Sequence, residues 1–403
     1  MYPLLEGVRI LDMAALIPGG TATSVLAGLG AEVIKVEAPP VGDYLRDLEA
    51  LRHSERISGQ HLTLNRNKRS LTLNLRAEGG RDLFYDLLRT ADVVFDVSVP
   101  GAREALGVDF AACQKVNPAV VYMSLTAYGY TGKYTRFPAH GVGPEVLTGE
   151  IRPQRRDDGG LTFDLPEIRV PAAGSALWAA IGILAALRYR DRTGRGIWLE
   201  TSQVDAAIWW RQLVVFRELN ELQVEKPAVT GAGAARYNFY ECADGEPLLI
   251  MPIEKKFWQR FCTAIERPDL SERGEWVGGS LDFGGGDEEL EGEIAMELRK
   301  RPRDEWLEIF GTADVPVMAA MTLAQLVRDE EYMEQRQALL EYDHERVGPV
   351  RLAAFPLKAA GLDPVPTRGA PDLGVDTRDI LSELGYDESK IDELYASGVL
   401  FGD

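Results

Sequence analysis

Cysteine, histidine and net positive charge are all scarce in this chain. Its 403 residues hold three cysteines, Cys113, Cys242 and Cys262, and four histidines. The cysteines are odd in number and far apart, which argues against a disulfide framework or a zinc site and fits reduced thiols in a cytoplasm. Lysine and arginine total 44 against 63 aspartate and glutamate, for a net charge of −19. Nucleic acid and anionic membrane surfaces repel such a field, so neither is expected as a partner, and an anionic ligand needs a local basic pocket. No run of 18 apolar residues is free of charge, glycine or proline, and no leader-like segment opens the sequence. Neither a membrane span nor a signal peptide is expected.

What is present is an ordinary globular composition, 45% hydrophobic and 27% charged with mean hydropathy −0.15. Its length predicts two domains. Through the first 200 residues, short β-branched runs alternate with helical periods, the pattern of a parallel sheet covered by helices. Strands are expected at Val8–Met13, Glu32–Glu37, Asp92–Ser98, Val120–Leu125 and Ile197–Leu199. Helices are expected at Gly80–Thr90, where Leu83, Leu87 and Leu88 share a face, and at Asp109–Lys115. Ser175–Tyr189, apolar on several sides and closed by Gly194 and Gly196, reads as a buried helix. A second unit begins near Tyr237, with a strand at Pro247–Ile253 and helices at about Lys256–Glu266 and Gly292–Arg301. Gly278–Glu293, rich in glycine and acid, reads as a mobile solvated loop, and Asp372–Gly398 is helix-like again.

The segment from Val8–Met13 through Pro18-Gly19-Gly20 to Glu37 has the outline of a dinucleotide-binding βαβ unit. The GxGxxG spacing is absent, since Gly28 and Gly30 lie at the far end of the helix. A nicotinamide or flavin cofactor is therefore not expected. More telling is the run Leu64-Asn65-Arg66-Asn67-Lys68-Arg69-Ser70-Leu71-Thr72-Leu73-Asn74-Leu75-Arg76. By chemistry alone, its three cations beside a strand-like Ser70–Leu75 are either a phosphate clamp or a solvated edge.

Together with LEGVRILDM, GLGAEVIKVEAP and GDYLR before it, this run resembles the class III CoA-transferases, the family of carnitine and bile-acid CoA-transferases that includes the α-methylacyl-CoA racemases. Blocks at Leu5–Val8, Ala31–Glu37, Asn65–Leu75, Ala91–Val94, Asn117–Ser124, Tyr128–Tyr134, Gly182–Gly196 and Ala370–Val399 extend the resemblance over nearly the whole chain, in the family's order. It implies an α/β fold with a Rossmann-like large domain from residues 1–205 plus 330–403. A linker at 206–224 would lead to a small domain inserted at 225–325, and dimers would be interlocked. It also implies a coenzyme A thioester as ligand, no metal or covalently bound cofactor, and CoA contacts from Asn67, Lys68 and Arg69. Family chemistry runs through an aspartate that attacks the thioester.

The sequence departs from the family at that aspartate. It precedes the block Gly182–Leu187 by some ten residues, and counting back reaches Pro171 or Ala172. Neither side chain can attack, and Asp164 and Glu167 would need a shift of several residues to replace it. Val99 and Ala105 stand where the family has arginines, Asp96 replaces an amide, and Ala38 replaces a common cation. All four changes weaken phosphate and pantetheine binding, with Arg103 and Lys115 as compensating candidates. Conversely, His140 matches the catalytic histidine of the racemase branch, and Glu254 matches the glutamate that supports it. An imidazole is suited to removing an α-proton. The plainer alternatives are a structural His140 and a Glu254 that caps the following helix. Thr230–Ala234 takes the place of the family's glycine-rich lid, with fewer glycines.

The favoured expectation is a subunit of a heteromeric CoA-transferase, paired with a homologous subunit that keeps the aspartate, as in family members acting on succinyl-CoA and (R)-benzylsuccinate. Two alternatives stand beside it. One is a self-sufficient acyl-CoA racemase or isomerase using His140 and Glu254; the other is a non-enzymatic scaffold with this fold.

Overall fold

The computed structural model describes residues 2–48, 57–220, 234–276, 279 and 281–402. They fall into two compact units, one from residues 1–219 with 337–403 and the other from 220–336.

The first unit opens with β1 (Arg9–Asp12), α1 (Leu16–Gly28), β2 (Glu32–Glu37), α2 (Gly59–Leu64), β3 (Lys68–Thr72), α3 (Gly80–Arg89) and β4 (Val93–Asp96). It continues with α4 (Phe110–Val116), β5 (Val121–Thr126), α5 (Gly143–Leu147), the short hairpin β6–β7 (Gln154–Arg155 and Leu161–Thr162), α6 (Val170–Thr193) and β8 (Ile197–Ser202). Six strands form one parallel sheet in the order β3-β2-β1-β4-β5-β8. Alternation along each strand splits the core in two. Leu11, Ile34, Leu71 and Val94 face α3, with Phe84, Leu87 and Ile391 in the same layer. Ile10, Val33, Val93 and Val121 face the other way, onto Leu26, Ala179 and Ile183 of α1 and α6. Every residue of β4 and β5 is buried, as strands covered on both faces must be, and this is why Val93–Phe95 and Val121–Met123 are apolar on both faces.

Helix α6 is long and apolar enough to cross a membrane by length and composition, yet 56% of its most apolar window is buried inside this unit. Its small residues Ala176, Ala179 and Ala180 let it lie close on α1 and the sheet, and Gly194, at φ +68, ends it. A Cβ on Gly196 would run into the Val120 carbonyl oxygen. Gly196→Ala must therefore push β8 away from β5. The expected loss is about 3 kcal/mol of unfolding free energy, read from a urea titration; a loss below about 0.5 kcal/mol would contradict the packing described.

The expected linker at 206–224 is instead helical as far as Leu219, in α7 (Gln203–Trp210) and α8 (Gln212–Leu219). Ala206 and Ala207 are buried, and Ser202 caps α7 by accepting from the Asp205 N–H at 2.9 Å. The polar residues that suggested a linker lie on exposed faces.

The second unit holds β9 (Asn238–Glu241), β10 (Pro247–Ile250), α9 (Lys255–Ala264), α10 (Glu288–Leu298), α11 (Arg303–Thr312), β11 (Val317–Ala319), α12 (Leu323–Leu326) and α13 (Glu330–Arg336). Its antiparallel sheet runs β11-β10-β9. The core is an aromatic stack in which Phe261 lies 5.5 Å from Trp258 and 5.3 Å from Phe310, between ring centroids. The expected loop Gly278–Glu293 is partly helix. Asp287 caps α10, and Arg273 ties Asp287, Glu289 and Glu293 together. Of the expected lid, Thr230–Ala234, all but the buried Ala234 lie outside the described residues.

The chain then returns to the first unit through the hairpin β12 (Leu339–His344) and β13 (Gly348–Ala353) and helices α14 (Thr377–Glu383) and α15 (Glu388–Ala396). This tail covers the open edge of β3. Ser70 N–H donates to Asp376 Oδ2 at 2.8 Å, Asp376 N–H to the Ser70 carbonyl at 3.1 Å, and Asn74 N–H to the Val399 carbonyl at 2.8 Å.

Candidate functional site

Chemistry in a parallel sheet of this order collects at the carboxyl ends of the strands, where the connections from β1 and β4 diverge. The turn after β1 is held there by buried ions. Asp12 accepts from Ala14 N–H at 3.0 Å, from Thr23 Oγ1 at 2.7 Å and from Lys68 Nζ at 3.1 Å. Lys35 Nζ donates to the Ala14 carbonyl at 2.8 Å and lies 2.8 Å from Asp43 Oδ2, while Asp43 Oδ1 accepts from Leu16 N–H at 3.0 Å. Leu16 is thereby kept at φ +66, a conformation costly for a branched side chain and common where a site needs a fixed backbone. Ala15, the N-cap of α1, offers no side-chain cap, and the Asp43 carboxylate takes the first N–H of that helix instead.

These ions correct the expectation for the Asn67–Arg69 cluster. Lys68 is fully buried, and besides Asp12 its ammonium donates to Thr23 Oγ1 at 2.7 Å and Asn65 Oδ1 at 3.0 Å. Burial lowers its pKa to about 8 despite Asp12. Arg69 pairs with Glu32 and Glu383, both at 2.8 Å. Asn67 adopts φ +63 and accepts from Arg368 N–H at 2.8 Å. All three side chains are committed to internal partners, and the charges of Lys68 and Arg69 are spent on buried and edge ion pairs.

A cleft of about 920 Å³ opens beside this turn, lined by Met13–Ala15, Val36–Pro39, Leu73–Arg76 and Ala102–Leu106 among others. Arg76 and Arg103 supply its cations. Arg103 Nε donates to Asp96 Oδ1 at 2.7 Å, and Asp96 is fully buried, so much of that charge is neutralised from beneath. Of the substituted family positions, Ala38 and Ala105 line the cleft itself. Val99 lines an adjoining pocket that shares Ala15 with the cleft. Lys115 is exposed on α4.

The position of the family aspartate is the first turn of α6. Pro171 occupies it with Ala172, which is 4% exposed. Asp164 and Glu167 are both exposed, with Asp164 accepting from Gln154 Nε2 at 2.9 Å. Two other carboxylates stand nearer. Glu150 Oε1 accepts from Val170 N–H at 3.3 Å, and Glu145 Oε1 lies 3.8 Å from Arg169 Nε. Glu145 is fully buried, neither oxygen accepts a hydrogen bond among the described residues, and burial raises its pKa. The sequence carries no sign of this, because Gly143-Pro144-Glu145 resembles an ordinary surface helix start. His140 is exposed and lines a separate cavity of about 410 Å³ with Leu16, Arg169 and Gln203. Glu254 belongs to the second unit, at the N-cap of α9, where it makes no capping bond and pairs with Lys256 at 3.1 Å. No group of three or more metal-ligating side chains occurs among the described residues.

Comparison with known proteins agrees with this architecture. The chain is 28% identical to a formyl-CoA:oxalate CoA-transferase of Streptomyces coelicolor, over 98% of this chain and 99% of that one. It is 29% identical to a succinyl-CoA:mesaconate CoA-transferase of Haloarcula marismortui, over 95% and 97%. The crystal structure of Rv3272 from Mycobacterium tuberculosis superimposes with a TM-score of 0.76 at 27% identity, covering 94% of this chain and 98% of that one. A description of the whole family, CoA-transferase family III, matches residues 5–377. A six-stranded parallel sheet whose edge strand is covered by the chain's C-terminal return is thus shared with these relatives, and the chain belongs to CoA-transferase family III.

Proposed function

We propose that this chain is one subunit of a CoA-transferase that moves CoA between an acyl-CoA and a carboxylic acid, and that a homologous subunit supplies the attacking carboxylate. The CoA thioester lies in the cleft at the carboxyl ends of the strands, with Arg76 and Arg103 nearest its phosphates. The observation that carries the reading is the first turn of α6, where Pro171 and Ala172 leave no nucleophile in an otherwise intact core. Relatives named as transferases of oxalate and mesaconate support the reaction class.

A paired assembly is supported by the apolar surface that α6, α7 and α8 leave open. Ile181, Ile208, Trp209, Trp210, Leu213 and Phe216 are each 48–60% exposed, more than a lone chain ordinarily leaves uncovered in one place. Interlocking of two such chains would bury it.

Incubation with acyl-CoA, followed by hydroxylamine or borohydride trapping and mass spectrometry, tests the division of labour. This chain alone is expected to form no acyl or CoA adduct. Mixed with a homologue bearing the aspartate, turnover appears and the adduct maps to the homologue. An adduct on any carboxylate of this chain, with Glu145 and Glu150 the first to inspect, or full turnover by this chain alone, would overturn the reading.

A further inference from the structure

We propose that the cavity between the starts of α1 and α6 is a binding site for a free monocarboxylate with an apolar tail, its carboxylate held by Arg169 and His140. The inference rests on the transferase reading, in which an acid must be held somewhere, and it assigns this chain a role in recognising that acid without reacting with it.

The cavity measures about 410 Å³. Arg169 is the N-cap of the 24-residue α6 and lines the cavity with the end of a side chain fixed at its base. Its Nη1 donates to the Gly141 carbonyl at 3.2 Å, and its Nε faces Glu145 at 3.8 Å. The remaining guanidinium N–H groups have no protein partner among the described residues. His140, next in sequence to that carbonyl, lines the same cavity, and its ring nitrogens also lack partners there. Arg169 and His140 therefore share one opening, with Arg169 held by the backbone carbonyl next to His140. An arginine fork matches a carboxylate in shape and charge.

Glu145 lies behind Arg169, completely buried with its Oε1 3.8 Å from Nε, and burial raises its pKa. It faces only the Nε side of the guanidinium. The other nearby carboxylate, Glu150, is engaged by the Val170 N–H. Leu16, Pro144 and Leu165 also line the cavity and offer surface for a hydrocarbon tail, beside the amides of Gln60 and Gln203. A short acid with a single carboxylate matches one guanidinium and these apolar side chains.

Calorimetric titration of the full-length chain, alone and with its homologue, tests this with hexanoate and its neutral isostere hexanamide. Hexanoate is expected to bind, with hexanamide at least about tenfold weaker. Arg169→Gln should weaken hexanoate at least about tenfold, and His140→Gln severalfold. Should Arg169→Gln fail to fold, Leu165→Trp, on an exposed wall of the cavity, narrows the tail space and should weaken hexanoate relative to acetate. Bound hexanoate should also protect Arg169 from phenylglyoxal. Equal affinity for acid and amide, no binding of either, or an Arg169→Gln chain that binds hexanoate as well as the parent would overturn the proposal. Binding is read without turnover, so this inference can fail while the mixed transferase works, and can hold while the mixture proves inactive.

Discussion

Asp12→Ala is expected to remove about 3–5 kcal/mol of unfolding free energy. Asp12 and Lys68 are both inaccessible to solvent and 3.1 Å apart. Deleting the carboxylate leaves the ammonium beneath the sheet with Thr23 and Asn65 as neutral partners, and also frees the Thr23 hydroxyl and Ala14 N–H. The cost is that of an uncompensated buried charge, larger than the net worth of the pair. Adding Lys68→Met to the alanine variant should therefore recover part of the loss. Urea unfolding of the two single variants and the double variant measures the coupling directly. An Asp12→Ala chain within about 1 kcal/mol of the parent, or a double variant no more stable than the single, would show that this cluster is not what holds β1 to β3. Asp12 also holds the N–H of Ala14, which lines the cleft, so acyl-CoA binding should weaken in step with stability.

Acid is the second large lever. His61 is buried with Nε2 3.1 Å from the Pro371 carbonyl and Nδ1 2.9 Å from Asn65 Nδ2. The Asn65 carbonyl oxygen accepts from Lys68, so its amide nitrogen must face the ring and the neutral imidazole is the form that fits. Burial, with Arg46 adding repulsion, lowers its pKa from 6.5 to about 3. Below pH 6.5 the unfolded chain takes up a proton that the folded chain refuses, so stability falls as pH drops from 6.5 towards 3. Glu37 acts lower down. Burial pulls its pKa upward, but hydrogen bonds from Arg46 and the charge of Lys35 prevail and bring it from 4.5 to about 2. Its contribution is present above pH 4.5 and is lost between 4.5 and 2. Between pH 6.5 and 4.5 His61 alone accounts for about 2–3 kcal/mol, to be read as a shift in urea midpoint. His61→Gln should flatten the profile in that window and leave the steeper fall below 4.5. Parallel profiles for parent and variant would refute the assignment.

Both predictions draw on residues whose identity was plain in the sequence and whose partners were not. Strands β1, β2, β4 and β5 were legible because each carries a short apolar, mostly β-branched core, such as Val33-Ile34 and Val93-Val94, of the kind burial on both faces favours. The hairpin β12–β13 was not, because its residues alternate between half-buried and exposed and its polar pattern looks like loop. The Lys68 ammonium could be placed only by knowing that Asp12, 56 positions earlier, lies beneath it. Arg69 depends in the same way on Glu383, 314 positions later. A row of cations shows charge, and which strand face each one takes is settled by register. The first turn of α6 was legible by counting from a downstream block. Glu145 was not, since a carboxylate without hydrogen bonds in an apolar surround leaves no mark in composition or period.

The tail that seals β3 has a bearing on how the polypeptide is made. During synthesis, β1 to β8 and the whole second unit emerge from the ribosome before Asp376 and Val399, which pair with Ser70 and Asn74. Throughout that interval one border of the growing sheet has unmet backbone donors and acceptors, a template for stray strands. Arg69, at the rim of that same strand, still waits for Glu383 during the interval, and is then the charge that keeps neighbouring nascent chains from adding to it.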